Sequence, residues 1–265
     1  MNQRELLDAL LKADKVENLE AALSTYLAAN EATAAFVPIG RRPNNRGAIE
    51  VASDPGRSLI ERITNAHDAL LEREHEQHGG KPKCSSPREA SSAWLDVPEK
   101  EGLSGLSNKQ RQSLAAKSVV RLDPGEGWQS RLVTVIDQGI GIELDRLEGT
   151  ILSLNESNKI QKHYLAGTYG QGGSSTFAFC KYVVIASRRG GSNVFGFTVV
   201  RYEDLPADEY KTGRYVFLVD SDKPLAVKAA DGDLQHGTIV RHFGYDLNRY
   251  TASIGPRSLY GMFGR

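Results

Sequence analysis

Apolar positions divide the chain into an early helical part and a later part dominated by strands. Leu6, Leu7, Leu10 and Leu11, then Leu19, Ala22 and Leu23, recur at steps of three and four, the period of an amphipathic helix. This start reads as a helix packed on the domain surface, with an arm to a second protomer as the functional alternative. A polar loop with Gly and Pro covers 38–47, and residues 48–53 read as a short strand. At Ser53-Asp54-Pro55-Gly56 a long helix begins, because Asp54 can cap it and Pro55 suits its first position. It is expected to run to about Glu76. Residues 77–131 lack a clear period, apart from one helix expected over 107–119.

From Leu132 the pattern changes. Leu132-Val133-Thr134-Val135-Ile136 is a buried strand that ends at Asp137. Short helices are expected over 143–154 and 174–179, and strands over 182–187, 194–202, 215–219 and 237–243. Helices early and strands late, joined by glycine-rich loops, predict an α+β fold: a two-layer sandwich with a mixed, mostly antiparallel sheet covered on one face by helices.

With 265 residues the chain has room for one large domain, or one domain with a small appendage. Lys plus Arg and Asp plus Glu are 33 each, so the net charge is zero and lends no support to a nucleic-acid partner beyond a local patch. Two cysteines far apart, Cys84 and Cys180, form no disulfide framework and point to a reducing cytoplasm. No apolar run is long enough to span a membrane, and the N-terminus lacks the features of a signal peptide.

Three segments carry candidate chemistry. In the helix Ser58-Leu-Ile-Glu-Arg-Ile-Thr-Asn-Ala-His-Asp-Ala-Leu-Leu-Glu72, Leu59, Ile63, Ala66 and Leu70 share one face, while Glu61, Asn65, Asp68 and Glu72 share the opposite one. That second stripe is either a solvated surface, with Ser58 and Glu61 as a capping box, or a working face. Asn is a poor helix former, and its amide oxygen can ligate Mg²⁺, a hard cation that takes oxygen ligands. A nearby carboxylate can deprotonate a water aimed at a phosphate. The second segment is Asp137-Gln-Gly139-Ile-Gly141-Ile142, an acid at a strand end followed by glycines. Asp137 can accept from an exocyclic amine, and Gly139 and Gly141 let backbone approach a flat ring, although the same residues also make ordinary turns. The third is Gly167-Thr-Tyr169-Gly170-Gln-Gly172-Gly173-Ser174, leading into a helix, where backbone N–H groups can cradle phosphates. It is neither a Walker A loop nor a dinucleotide fingerprint. His75, His78 and Cys84 lie close in sequence, but no paired Cys-x-x-Cys accompanies them, and they read as polar loop residues rather than as a metal site. Trp94 and Trp128 read as packing residues.

Taken in order, Glu61-x-x-x-Asn65-Ala66-x-Asp68-Ala69, Asp137-x-Gly139-x-Gly141-Ile142 and Gly167-x-x-Gly170-x-Gly172 resemble the N box and the two glycine boxes of GHKL ATPases. These include DNA gyrase B, MutL, the ninety-kilodalton heat-shock chaperones and MORC proteins. His236-Gly237-Thr238-Ile239-Val240 resembles their late Gly-Thr strand. The resemblance spans roughly residues 50–245. It implies the Bergerat fold with an ATP lid over 155–169, ATP and Mg²⁺ as cofactors, and a nucleotide-driven dimerisation or conformational switch with a second copy or partner subunit. The implied domain layout is a helical segment over 1–47 and the ATP-binding domain over 48–265, with an insertion at about 77–131. By position, Glu61 resembles the general base, Asn65 the Mg²⁺ ligand, and Asp137 the acid that binds adenine N6. Asp68, Ala69, Gly139, Gly141 and Ile142 would line the base side, with Thr238 supporting Asp137. Gly167, Tyr169, Gly170, Gly172, Gly173 and Ser174 would wrap the phosphates, and Lys159 or Lys162 would neutralise their charge. The long insertion and the Gly172-Gly173-Ser174-Ser175 continuation depart from the family's usual pattern, and the sequence to Arg265 leaves the family's phosphate-sensing lysine to a longer chain or to a partner. A histidine-kinase catalytic domain and a non-hydrolysing nucleotide sensor are the alternatives. Asp68-Ala69 stands against the first of these, because those kinases usually carry a basic residue and an aromatic there.

Overall fold

The computed structural model describes residues 1–123, 125, 131–154, 162–167, 172–206, 213–248 and 250. The chain opens with α1 (Gln3–Lys12) and α2 (Val16–Ala29). Asn2 and Glu5 form a capping box that starts α1. Next come β1 (Ala34–Pro38), a 3₁₀ turn at Ile39–Arg41 and α3 (Arg46–Ile49). The long helix α4 (Pro55–Gln77) precedes α5 (Pro87–Leu95) and α6 (Asn108–Ala115). The strands β2 (Ser118–Asp123) and β3 (Leu132–Asp137) follow. Two short helices come next, α7 (Leu147–Thr150) and α8 (Gly172–Ser175). The chain then forms β4 (Tyr182–Arg188), β5 (Val194–Glu203), β6 (Arg214–Asp220), β7 (Leu225–Lys228) and β8 (Gly237–Phe243).

The strands form one eight-stranded sheet in the order β1-β6-β5-β4-β8-β3-β2, with β7 paired to the start of β5. Every pairing among the described residues is antiparallel, so no parallel pair gives the sheet the expected mixed character there. Side chains alternate across the pleat. Val184 and Ala186 of β4 join Leu6, Leu7, Leu10, Leu19 and Tyr26 of the first two helices in one core. Val183 and Ile185 join Leu147 and Phe177 in a second core on the other face. On that same side Leu59 and Ala66 of α4 pack against Val133 and Val135 of β3.

Helices therefore cover both faces, not one. The reason lies in the first thirty residues, where Leu6, Leu7, Leu10 and Leu19 are fully buried in the core against the sheet. Arg241 of β8 shows how tightly they are joined. Its guanidinium donates to Leu10 O at 2.5 Å and Ala13 O at 2.6 Å, so a buried cation caps the carbonyl end of α1.

Other expectations also needed correction. Residues 48–53 form no strand. Buried Asn45 bonds Ile39 O and Tyr215 O and accepts from Tyr215 N, which pins the chain in a turn and short helix. The helix expected over 107–119 stops at Ala115, and Ser118–Asp123 becomes the sheet edge within the supposed insertion. The helix expected over 143–154 is only a 3₁₀ turn at Leu144–Arg146 followed by α7. No helix among the described residues is long and apolar enough to cross a membrane.

Replacing Arg241 with Met keeps the stem but strands two buried carbonyls. Destabilisation of about 2 kcal/mol is expected in urea unfolding, with an unchanged midpoint as the contrary result.

Candidate functional site

Helix α4 forms the floor of the site. Asp54 caps it by accepting from Arg57 N at 2.9 Å, and Pro55 begins it. The alternative cap at Ser58 is absent, since Ser58 lies inside the helix and its hydroxyl donates to Asp54 O. Beyond the apolar face, the polar stripe is solvated at Glu61 and buried or half-buried from Asn65 on. Asp68 is 1 % exposed, and Asn65 and Glu72 are half-buried.

Above this stripe lies a cavity of about 480 Å³, within the range of small-molecule sites. Its walls come from segments far apart in sequence. Asn65, Asp68, Ala69 and Glu72 come from α4, and Asp137, Gly141 and Ile142 from the end of β3 and its loop. Lys162 comes from the segment before the third motif, Ser174 from that motif, and Thr238 from β8. Gly172 and Gly173 form the first turn of α8, directly before Ser174. Gly167 is described, and its N–H donates to Asp68 at 3.0 Å. Lys159, Tyr169 and Gly170 lie outside the described residues. Glu61 is exposed and is not among the lining residues.

The first two glycines also answer to close contacts within the chain. A Cβ on Gly139 would stand 2.5 Å from the Ala69 Cβ and 2.6 Å from its carbonyl carbon. The two small residues let the β3 loop lie directly on α4, where Ile140 N donates to Ala69 O at 2.9 Å. Gly141 has φ +70°, and a Cβ there would meet Arg188 O at 1.9 Å. Gly139 thus lets the β3 loop pack against α4, and Gly141 serves both the turn and the wall.

Asp137 is 6 % exposed and accepts from Gly139 N at 2.8 Å and from the Thr238 backbone N–H. Burial nonetheless pushes its carboxyl up to about 7, against the pull of those two donors and of the Arg62 charge. Thr238 is fixed in turn. The Ser187 hydroxyl donates to Gly237 O at 3.0 Å, so its single proton is used. The Thr238 hydroxyl, 2.9 Å away, is then the donor to Ser187, and its lone pairs remain able to accept. Ser187 also receives Ile142 N at 2.9 Å, which joins the β3 loop to the same knot.

Beneath the cavity runs a buried polar relay not identified from the sequence. His242 Nδ1 lies 3.2 Å from Val133 O, and a carbonyl only accepts, so Nδ1 carries the proton. Nε2 then accepts from the Thr176 hydroxyl at 3.3 Å, whose oxygen accepts from Arg62 Nη2 at 3.2 Å. Burial, reinforced by Arg62, pushes the His242 imidazole down to about 3, so it stays neutral. Burial also pulls Arg62 down to about 10. Arg62 lines the cavity, so its charge is held at the floor by packing and these bonds. At the mouth, Arg189 donates to Glu76 at 2.5 Å and lies 3.9 Å from Glu143. Lys162 pairs with Glu72.

Among the described lining residues, Arg62, Arg146, Lys162 and Arg189 oppose Asp68, Glu72, Glu76, Asp137 and Glu143, four cations against five carboxylates. Such a lining suits a polyanion only when a cation comes with it. Asn65 and Glu72 offer the oxygen donors that Mg²⁺ prefers. No cluster of three His, Cys, Asp or Glu among the described residues forms a metal cage by itself. His75 and His78 instead belong to an aromatic cluster with Trp94. No family model matches the chain, and no curated protein matches it.

Gly139→Ala forces a Cβ into Ala69 and should destabilise the chain by about 2 kcal/mol, with loss of the cavity's shape. Native stability equal to wild type in urea contradicts that packing. For Asp137, the folded chain holds the proton to about pH 7 against an ordinary value of 3.8. Ionisation therefore removes stability as pH rises from about 4 to about 7. The stability of Asp137→Asn relative to wild type should rise across that window and level off above it. A pH-independent difference in urea unfolding contradicts the assignment.

Proposed function

We propose that this chain binds ATP with Mg²⁺ in the cavity between α4 and the end of β3, as a GHKL-type domain of the Bergerat fold, and hydrolyses it. The observation that carries this reading is convergence. Residues from all four motifs line or border one cavity, although they are spread from Asn65 to Thr238. Chance glycine turns and a solvated helix face would have no reason to meet.

In this reading, the adenine amine donates to the buried carboxyl of Asp137, for which ligand binding favours the ionised form, while Thr238 offers an acceptor beside it. Asn65 holds the metal through its amide oxygen, and the metal, when bound, neutralises charge on the triphosphate. Lys162 exchanges Glu72 for a phosphate oxygen. Ser174 and the N–H groups of the Gly172-Gly173 turn sit on the phosphate side. Glu61 accepts the proton of the attacking water; it lies one helical turn before Asn65. Catalysis of this kind is mainly positioning and charge neutralisation. ATP-dependent pairing with a second copy or a partner subunit follows from the family resemblance.

One observation favours a second reading. Glu61 is exposed and outside the cavity lining, the arrangement expected of a domain that senses nucleotide without hydrolysing it. Phosphate release with and without Mg²⁺ separates the two.

For the hydrolytic reading, Glu61→Gln should keep the affinity for Mg·ATP within about twofold and reduce turnover at least about 100-fold. Asn65→Ala should weaken Mg·ATP binding about tenfold or more, through loss of roughly one charge-assisted contact. Equal phosphate release by wild type and Glu61→Gln would remove Glu61 as the base. Absence of release by wild type, with binding intact, would establish the sensor.

A further inference from the structure

The segment between α4 and β3 has no role in the chemistry above, yet one part of it reaches the cavity rim. Helix α5 packs Ala90, Trp94 and Leu95 against Leu71 of α4 and against Leu165. Trp94 is 6 % exposed, and its indole N–H is anchored on Lys81 O at 3.1 Å. Its ring meets two others edge-on: His75 at 5.5 Å and 75°, and Tyr164 at 5.5 Å and 77°. Tyr164 in turn stacks flat on His75, with centroids 4.6 Å apart and planes 6° from parallel. Offset stacks and edge-to-face pairs are the favourable aromatic geometries.

Residues 162–167 therefore have two anchors. One is polar: Asp68 of α4 receives Ala166 N at 2.8 Å and Gly167 N at 3.0 Å. The other is apolar: Tyr164 and Leu165 sit in the aromatic pocket made by α4 and α5. The stretch so held begins with Lys162, which lines the same cavity as Asn65 and Asp68.

We propose that α5 is a brace for the cavity rim, and that Trp94 and Tyr164 are positioning residues that set Lys162 and the Gly167 turn for a triphosphate. The proposal rests on the nucleotide reading above for what the rim does, but not for the brace itself. Neither residue touches the ligand. Tyr164 acts by stacking and its ring is what matters, so Phe serves in its place. Trp94 acts by holding the Tyr164–His75 stack from the side.

The test has two independent parts. In nucleotide-free protein, hydrogen–deuterium exchange at the Ala166 and Gly167 amides reads the brace directly. Tyr164→Ala and Trp94→Ala should each speed exchange at both amides about tenfold or more, the loss of roughly one hydrogen bond's protection. Tyr164→Phe should leave it unchanged, and the Val184 amide in the sheet should stay protected throughout. If Trp94→Ala disturbs the sheet, the half-buried Tyr164 variants decide the matter. Binding of a fluorescent ATP analogue with Mg²⁺ is the second part. Its Kd should rise about tenfold in Tyr164→Ala and be restored in Tyr164→Phe.

Unchanged exchange in Tyr164→Ala overturns the brace. So does faster exchange without any loss of a nucleotide affinity measurable in wild type. If wild type binds no nucleotide while exchange responds as expected, the brace stands and the nucleotide reading is what fails.

Discussion

The contact between Ala69 and Gly139 sets the distance between helix and sheet on which the cavity depends. A methyl group faces a bare Cα, and the Ile140 amide reaches the Ala69 carbonyl at 2.9 Å. With a larger residue on either side, α4 would stand further from the end of β3. Asp137 would then lose the enclosure that pushes its carboxyl up to about 7. The cavity floor and the burial of Asp137 are thus products of one close approach, and the charges at the mouth are arranged around them.

Two kinds of polar order surround that contact. The Arg62–Thr176–His242 chain ends on a backbone carbonyl of β3, with the imidazole kept neutral by burial. It holds a cation at the floor at a fixed depth. At the rim, Lys162 with Glu72 and Arg189 with Glu76 are pairs of partly exposed side chains. Pairs of this sort contribute little to stability and can exchange partners readily. A rigid floor and an exchangeable rim fit a site that takes up and releases a charged ligand, and this is what the packing contributes to the proposal of a nucleotide site.

Much of this was legible in the sequence where the signal was local. The Asp54-Pro55 start of α4, the strand ending at Asp137 and the Gly237 strand follow from capping chemistry and apolar runs read over a few residues. The first core was half visible. The leucine period of the first thirty residues marked the helices, but nothing local says which sheet face receives them. Arg62 and His242 were missed because a buried cation and a buried imidazole carry no signature in a row of letters; only the fold supplies their partners. At Gly139 the sequence suggests room for a ligand, while the close approach of Ala69, seventy residues earlier, is a demand that no local pattern shows. Residues 48–53 looked extended because the restraint from Asn45 and Tyr215 is non-local. The edge strand β2 was masked by its position after a short helix in an aperiodic stretch.

The most direct test is a crystal structure with Mg²⁺ and a non-hydrolysable ATP analogue. The account predicts the adenine amine within hydrogen-bond reach of Asp137, the metal on the Asn65 amide oxygen and the triphosphate beside Lys162 and Ser174. An analogue bound elsewhere, or a cavity left without it at saturating concentration, would contradict the account.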